Sequence, residues 1–392
     1  MQEESSSISR ADKSAKVEVI GELPRLEALE EQWHALARDI PWPMAQFEWI
    51  ITAAQTYRDD RFCVVIVQEA GVLQAVAPLV LRRYGFTHRL ESLDYMLAEP
   101  QRLIARDERH LQLLFKALKA LRYPFILQGV IAECQDDQCF RTFSGAGLRM
   151  VAASGSKDSF VPFDDPRGDL EGRMSSSRRC TLRRKRKAAE KHGPVRFNIL
   201  RPSTDELPEL LDELFRVESS GWKGRAATGL RYDAQRASFF RMYCDRMARE
   251  GTLRLGFMTI GEATAAVRID VVWGGKSWEL KIGYDERFAN CSPGLLLSHE
   301  ALKHGQAEGL LGHHFLGEAE AWHETWAAKS MNRVTLRYYP TSLPGMLTLL
   351  HDASSHFARI IESRSNAFSF RGRGILSKAA APPLKGAEGP VL

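Results

Sequence analysis

Between Ser277 and Gly309 the chain reads SWELKIGYDERFANCSPGLLLSHEALKHGQAEG. An apolar, aromatic-rich strand runs to Tyr284, a polar loop carries Arg287, Ser292 and Pro293, and Gly294 opens an amphipathic helix that begins with Leu295. The first turn of such a helix has backbone N–H groups without intrahelical partners, and its dipole favours negative charge, so phosphate is a natural guest there. A plainer arrangement, a helix capped by Ser292 with Pro293 at its first position, needs no ligand. Strand alternation places Ser277, Glu279, Lys281 and Gly283 on one face and Trp278, Leu280, Ile282 and Tyr284 on the other, so the polar face could meet a substrate. In the preceding run Ala263–Trp273, Arg268 and Asp270 share a face among apolar neighbours. Buried charge is expensive unless paired, so these two residues imply either a cleft or a structural ion pair across the sheet.

The elements that would position these residues occur in an order that repeats. The first half reads as a strand near Val17–Ile20, helices at Leu23–Ala37 and Gln46–Tyr57, and a hairpin of Phe62–Gln68 and Leu73–Leu81. A strand near Arg89–Leu93, a helix at Glu108–Leu121, a strand at Pro124–Leu127, a helix at Gln135–Ser144 and closing strands to Phe163 follow. The second half reads as a strand at Val195–Leu200, a helix at Asp205–Ser219 with Ser203, Thr204 and Asp205 as capping candidates, and a helix at Asp233–Arg249. A meander through Tyr284, the helix Leu295–Ala307, a strand at His313–Leu316, a helix at Ala321–Lys329 and a strand at Arg333–Tyr339 complete it, with a final helix at Leu343–Ile361. The economical explanation is an α+β protein of two similarly folded tandem domains, residues 16–165 and 166–362. Residues 1–15 and 363–392 are expected to be disordered termini.

With 392 residues, 44% of them hydrophobic, the chain is long enough for two cores, and its net charge of +5 is mild. Its six cysteines lack the paired short spacings of a zinc site and read as free thiols. Neither a signal peptide nor a run of about 20 uncharged residues is evident, so no membrane span and a cytoplasmic location are expected. The densest positive charge, Arg178–Lys191, could serve nucleic acid. However, it follows Ser175–Ser177, places Leu182 and Ala189 on one side, and lacks the interleaved aromatics that stack bases, which favours a linker helix over 175–191 with a solvated basic face. Its field would still suit an anionic substrate.

Three segments carry a family resemblance: WKG at Trp222–Gly224, LKIGYDERFANCSPGLLL from Leu280, and FLGEAEAWHETW from Phe315. They resemble the BioF2-like or CelD-type acetyltransferases of the GNAT superfamily, and the tandem order resembles the FemAB-type aminoacyl transferases. The resemblance implies mixed central sheets flanked by helices in each domain, with no metal. Acetyl-CoA or another acyl-CoA would be the co-substrate, with pantetheine along Ile282, Gly283 and Tyr284 and pyrophosphate at Arg287, Ser292, Gly294 and Leu295. The commoner acetyltransferase loop is richer in glycine, and relatives usually carry Lys where this chain has His323.

Direct transfer from a thioester needs a base for the acceptor, a donor for the oxyanion and an acid for the leaving thiolate. Glu318 or Asp285 is the expected base, His323 a third titratable candidate, and N–H groups near Gly283–Tyr284 the oxyanion donors. Tyr338 and Tyr339 are possible acids, and a route through an acylated Cys291 can be drawn. Trp222 and Lys223, with Arg268 and Lys281, would meet a small-molecule or saccharide acceptor from cell-envelope or polysaccharide synthesis. Under the alternative FemAB-type reading the donor is aminoacyl-tRNA, and nucleic acid is expected only there. A non-catalytic GNAT-fold binding module is the remaining alternative.

Overall fold

The computed structural model describes residues 15–57, 61–97, 99–132, 134–142, 147–163, 170–220, 229–316, 321–326 and 328–355. The strands of the first half are β1 (Ala15–Ile20), β2 (Arg61–Phe62), β3 (Val64–Glu69), β4 (Val72–Ala77), β5 (Leu79–Tyr84), β6 (Thr87–Ser92), β7 (Ile104–Ala105), β8 (Phe125–Ile131) and β9 (Gly147–Pro162). Those of the second half are β10 (Val195–Leu200), β11 (Leu253–Ile260), β12 (Ala263–Trp273), β13 (Lys276–Tyr284), β14 (Gly312–His314) and β15 (Lys329–Pro340).

The helices are α1 (Leu23–Glu27), α2 (Glu30–Ala37), α3 (Phe47–Thr56), α4 (Glu108–Ala120), α5 (Gln135–Thr142), α6 (Ser176–Glu190), α7 (Leu207–Glu218), α8 (Ala234–Arg249), α9 (Pro293–Ala307) and α10 (residues 343–355). The continuous helix expected over Leu23–Ala37 is thus two, and residues 321–326 form a 3-10 segment rather than an α-helix. Capping follows sequence at α6, where Ser175 accepts the Arg178 N–H, and at α8, where Asp233 accepts that of Arg236. At α7 it does not. Glu206 is the N-cap, and its carboxylate accepts the Ser203 N–H at 2.8 Å instead of Ser203 capping the helix.

The expected hairpin of the first half bends between sheets. Each of its arms breaks, at Cys63 and at Pro78, so β3 and β4 join β1 and β7 in one sheet while β2 and β5 enter a second, larger one. The larger sheet runs β10-β11-β12-β13-β14-β9-β15-β8-β6-β5-β2 through both halves. Its centre is an exchange. β14 pairs with β9, the last strand of the first half, and β8 pairs with β15, the last strand of the second, while β9 and β15 pair with each other. The halves are therefore interlocked through their closing strands.

The main apolar core also spans both halves. On α3, Trp49 meets Phe239 and Tyr243 of α8 edge-on, with ring centroids 4.8 and 4.9 Å apart. A separate core lies under α6 and α9, including Leu182, Ala189, Leu296, Leu297 and Trp326. The apolar side of α6 that the sequence marks is thus buried, while Arg183, Arg184 and Lys187 face outward.

Candidate active site

β13 and β14 run parallel for only three residue pairs, from Lys276 with Gly312 to Trp278 with His314. At the last pair the two rings stack with centroids 4.0 Å apart and planes nearly parallel, closing the crotch of a fork. Beyond it the strands separate. β13 continues to Tyr284, whereas the other arm stays with β9 through the Phe315 N–H donated to the Ser159 carbonyl. That second arm is aromatic: Phe315 stacks on His323 at 4.2 Å and lies 5.7 Å from Trp326.

A bulge shapes the first arm. Opposite β12, Ile269 pairs with Lys281 but Asp270 pairs with Glu279, so Leu280 is left without a cross-strand partner. An extra residue bends its strand, frees its backbone from the ladder and reverses the alternation that follows. Uninterrupted alternation would place Lys281 and Gly283 with Ser277 and Glu279. Instead Lys281 and Gly283 face α7 and α8, as Trp278 and Leu280 do, while Ile282 and Tyr284 turn towards α9. Lys281 Nζ consequently lies 4.9 Å from the Phe240 ring centroid of α8.

On this face the first half delivers a carboxylate that the sequence did not single out. Glu99, 9% exposed, lies 3.8 Å from Lys281 Nζ, and burial raises its pKa from 4.5 to about 6 against the pull of Lys281 and Arg333. Nearby, buried Asp158 of β9 accepts from Arg333 of β15 at 3.0 Å and lies 3.6 Å from His314. Both exchanged strands and both halves therefore supply charged groups at the fork.

On the opposite face, α9 begins over Ile282 and Tyr284. A Cβ added at Gly294 would sit 3.7 Å from the first and 3.8 Å from the second, in ordinary contact. Ser292 does not cap the helix. It adopts a left-handed backbone with φ of 49° and makes no side-chain cap bond, so the first-turn N–H groups keep their anion-binding character. The basic helix lies alongside, with Lys185 Nζ donating to the Asn290 carbonyl at 2.9 Å in the loop that leads into α9. These features fit the pyrophosphate of a nucleotide-like ligand.

Other expected roles are altered. Arg287 bonds Asp285, its Nη2 lying 2.6 Å from the carboxylate, and this contact holds Asp285 below the ordinary carboxylate range, which suits neither a free phosphate ligand nor a base. Gly283 is pressed against α7, where a Cβ would lie 2.5 Å from the Glu218 Cα; its missing side chain serves packing. His323 is 4% exposed, and burial lowers its pKa to about 4, so it is neutral near pH 7 and not tuned as a general base there. Cys291 is buried and its thiol pushed up by desolvation, the reverse of an activated nucleophile. Tyr338 packs on Phe125 and Tyr339 donates to Asp352, both away from the fork.

Arg268 is sealed rather than open to an acceptor. Fully buried, it lies 2.6 Å from Asp270, 3.1 Å from Glu279 and 3.3 Å from His313. Asp270, Glu279 and His313 are close enough together to hold a cation, and the guanidinium already fills that place. This is the structural ion pair that the sequence left as one of two possibilities. Glu318, Trp222 and Lys223 lie outside the described residues, as do residues 1–14 and 363–392 of the termini expected to be disordered, whereas Ala15 begins β1.

Residues 176–324 match the family model described as an acetyltransferase (GNAT) domain. No curated protein matches the chain. Among solved structures, FemX superposes with a TM-score of 0.55 at 12% identity, over 82% of this chain and 98% of that one. L-PGS from Bacillus licheniformis gives 0.52 at 14% identity, over 84% and 96%. The C-terminal domain of a putative lysylphosphatidylglycerol synthetase from Agrobacterium fabrum gives 0.52 at 10%, over 83% and 96%. At these identities the likeness is one of fold. The match to the acetyltransferase (GNAT) domain thus covers residues 176–324 of the fork-bearing half, and over most of the chain the fold is similar to that of these structures.

Proposed function

We propose that the second half transfers an acyl group, acetyl in the simplest case, from a CoA thioester to an amine or hydroxyl of a saccharide or cell-envelope precursor. The observation that carries this reading is the two-sided fork. One face presents the uncapped start of α9 beside the basic helix, suited to pyrophosphate; the other presents Lys281 and Glu99, suited to a polar acceptor. The thioester would cross between them at the bulge.

In that arrangement the acceptor nitrogen or oxygen attacks the thioester carbonyl carbon and gives up its proton. Glu99, poised near 6, can take it, as can Glu318 of the family motif. The carbonyl oxygen gains negative charge against a backbone N–H of β13, for which bulged Leu280 is a donor beside the expected Gly283 and Tyr284. Breaking the C–S bond then releases CoA thiolate, which is protonated on departure. The CelD-type motifs favour an acceptor from polysaccharide synthesis, met by Lys281 together with Trp222 and Lys223.

Calorimetric titration with acetyl-CoA, comparing the parent with Gly294→Trp, tests the donor. Binding abolished by the indole supports the proposal, and absence of binding by the parent at millimolar CoA overturns it. An aminoacyl-tRNA donor of the FemAB type is the second reading, favoured by the outward Arg183, Arg184 and Lys187 of α6. Retention of charged tRNA by a protein that ignores CoA would select it, while failure of both ligands would leave a binding module.

A further inference from the structure

The last described helix is turned inside out. α10 packs on the large sheet through Gly345, Thr348 and Asp352, while Leu343, Met346, Leu347 and Leu350 are 69%, 61%, 36% and 65% exposed. Residues at i, i+3, i+4 and i+7 form one stripe, so a continuous apolar face points to solvent and the small or polar face points inward. The inward face is held by its polar groups, since the Asp352 carboxylate accepts from Tyr84 at 2.5 Å and from Tyr339 at 2.6 Å. Rotating the helix to hide its leucines would break these bonds.

Two further features lie beside the stripe. Gly85, in the β5–β6 turn, lies against His351 of α10, a Cβ there falling 3.2 Å from the ring, and the next residue, Phe86, is 97% exposed. The flanking charge is cationic. Arg122 reaches the Thr341 carbonyl at the helix start, Arg83 is exposed beside the turn, and Arg149 is exposed on β9 opposite Tyr338. Asp352, the carboxylate of α10, is occupied by the two tyrosines. In sequence the apolar period continues at Phe357 and Ile361, and residues 356–392 carry six Lys or Arg against two Glu.

We propose that α10 and the Phe86 turn dock the protein on an anionic phospholipid surface, the helix lying in the interface plane. A second copy of the chain would set these cations against the same cations, whereas lipid headgroups would neutralise them as the leucines enter the acyl boundary. The inference concerns a face remote from the fork and does not rest on the transfer reaction.

Co-sedimentation of the full chain with phosphatidylcholine vesicles, with and without phosphatidylglycerol, tests it. Binding is expected only with the anionic lipid and should weaken as salt is raised. Leu347→Ser and Leu350→Ser should each lower vesicle affinity roughly tenfold, and Phe86→Ser by a similar factor. Unchanged thermal unfolding of these surface variants would separate lost docking from lost folding. Absence of binding to anionic vesicles, or binding indifferent to all three substitutions, overturns the proposal. So does a dimer in light scattering that the same substitutions convert to monomer, which would assign the stripe to a second copy.

Discussion

The same substitution at two glycines flanking the fork should give opposite results. At Gly283 an added Cβ would meet the Glu218 Cα at 2.5 Å and its Cβ at 2.9 Å, and a backbone-anchored neighbour can move only with α7. Overpacking of this kind costs about 1–3 kcal/mol, and ~2 kcal/mol shifts the folding equilibrium some 30-fold. At Gly294 the nearest atoms are 3.7 and 3.8 Å away at the ends of Ile282 and Tyr284, so alanine fits. Reduced freedom of the unfolded chain there should contribute up to about 1 kcal/mol of stability. Gly283→Ala is thus expected to unfold at lower denaturant than the parent, and Gly294→Ala at the same or higher denaturant, with weaker CoA binding because the methyl crowds the helix start. Urea unfolding followed by tryptophan fluorescence, alongside titration with CoA, reads both. A Gly283→Ala protein as stable as the parent would refute the packing argument, and a destabilised Gly294→Ala would refute the claim of open space.

Two further substitutions probe the buried charges. Glu99 has a folded pKa of about 6 against an ordinary 4.5, so the stability it lends is complete below about 4.5 and is lost as pH rises through 6, amounting to roughly 2 kcal/mol. Glu99→Gln should therefore match or exceed the parent in stability above pH 6 while losing turnover and any rate limb rising through about pH 6; an unaltered pH–rate profile would remove Glu99 from the reaction. Arg268→Leu leaves Asp270 and Glu279 facing each other in the core and should cost about 3–5 kcal/mol, measured by denaturant unfolding; a loss below 1 kcal/mol would mean that the cluster relaxes without its cation.

Much of the fork was legible because its parts are local. Strand, loop and helix from Ser277 onward follow the chain, and Pro293 and Gly294 mark the turn into α9. The facing of Lys281 was not legible, since the residues through Tyr284 keep alternating polar and apolar while the bulge at Leu280 reverses their sides; only the partner strand reveals it. Glu99 was missed for a different reason. It sits in an unpatterned stretch of the first half, and its closeness to Lys281 is a contact between halves with no trace in spacing. Arg268 and Asp270 were recognisable as a problem of buried charge, but whether a cleft or a pair resolved it depended on Glu279 and His313 arriving from other strands. The exchange of β9 and β15 was equally hidden, because each strand reads the same whichever half it completes.

That exchange has a consequence for how the protein is made. β9 leaves the ribosome well before its partners, and its sheet neighbours Gly312–His314 and Lys329–Pro340 are among the last described strands to emerge. Until then the first half has an open edge at β8, awaiting β15. Pairing between strands so distant in sequence is slow and leaves edges open to wrong partners. A nascent chain stalled before β15 would hold two unfinished sheets, so the early half should depend on holding chaperones during synthesis and should not be recoverable as a soluble fragment ending near Phe163.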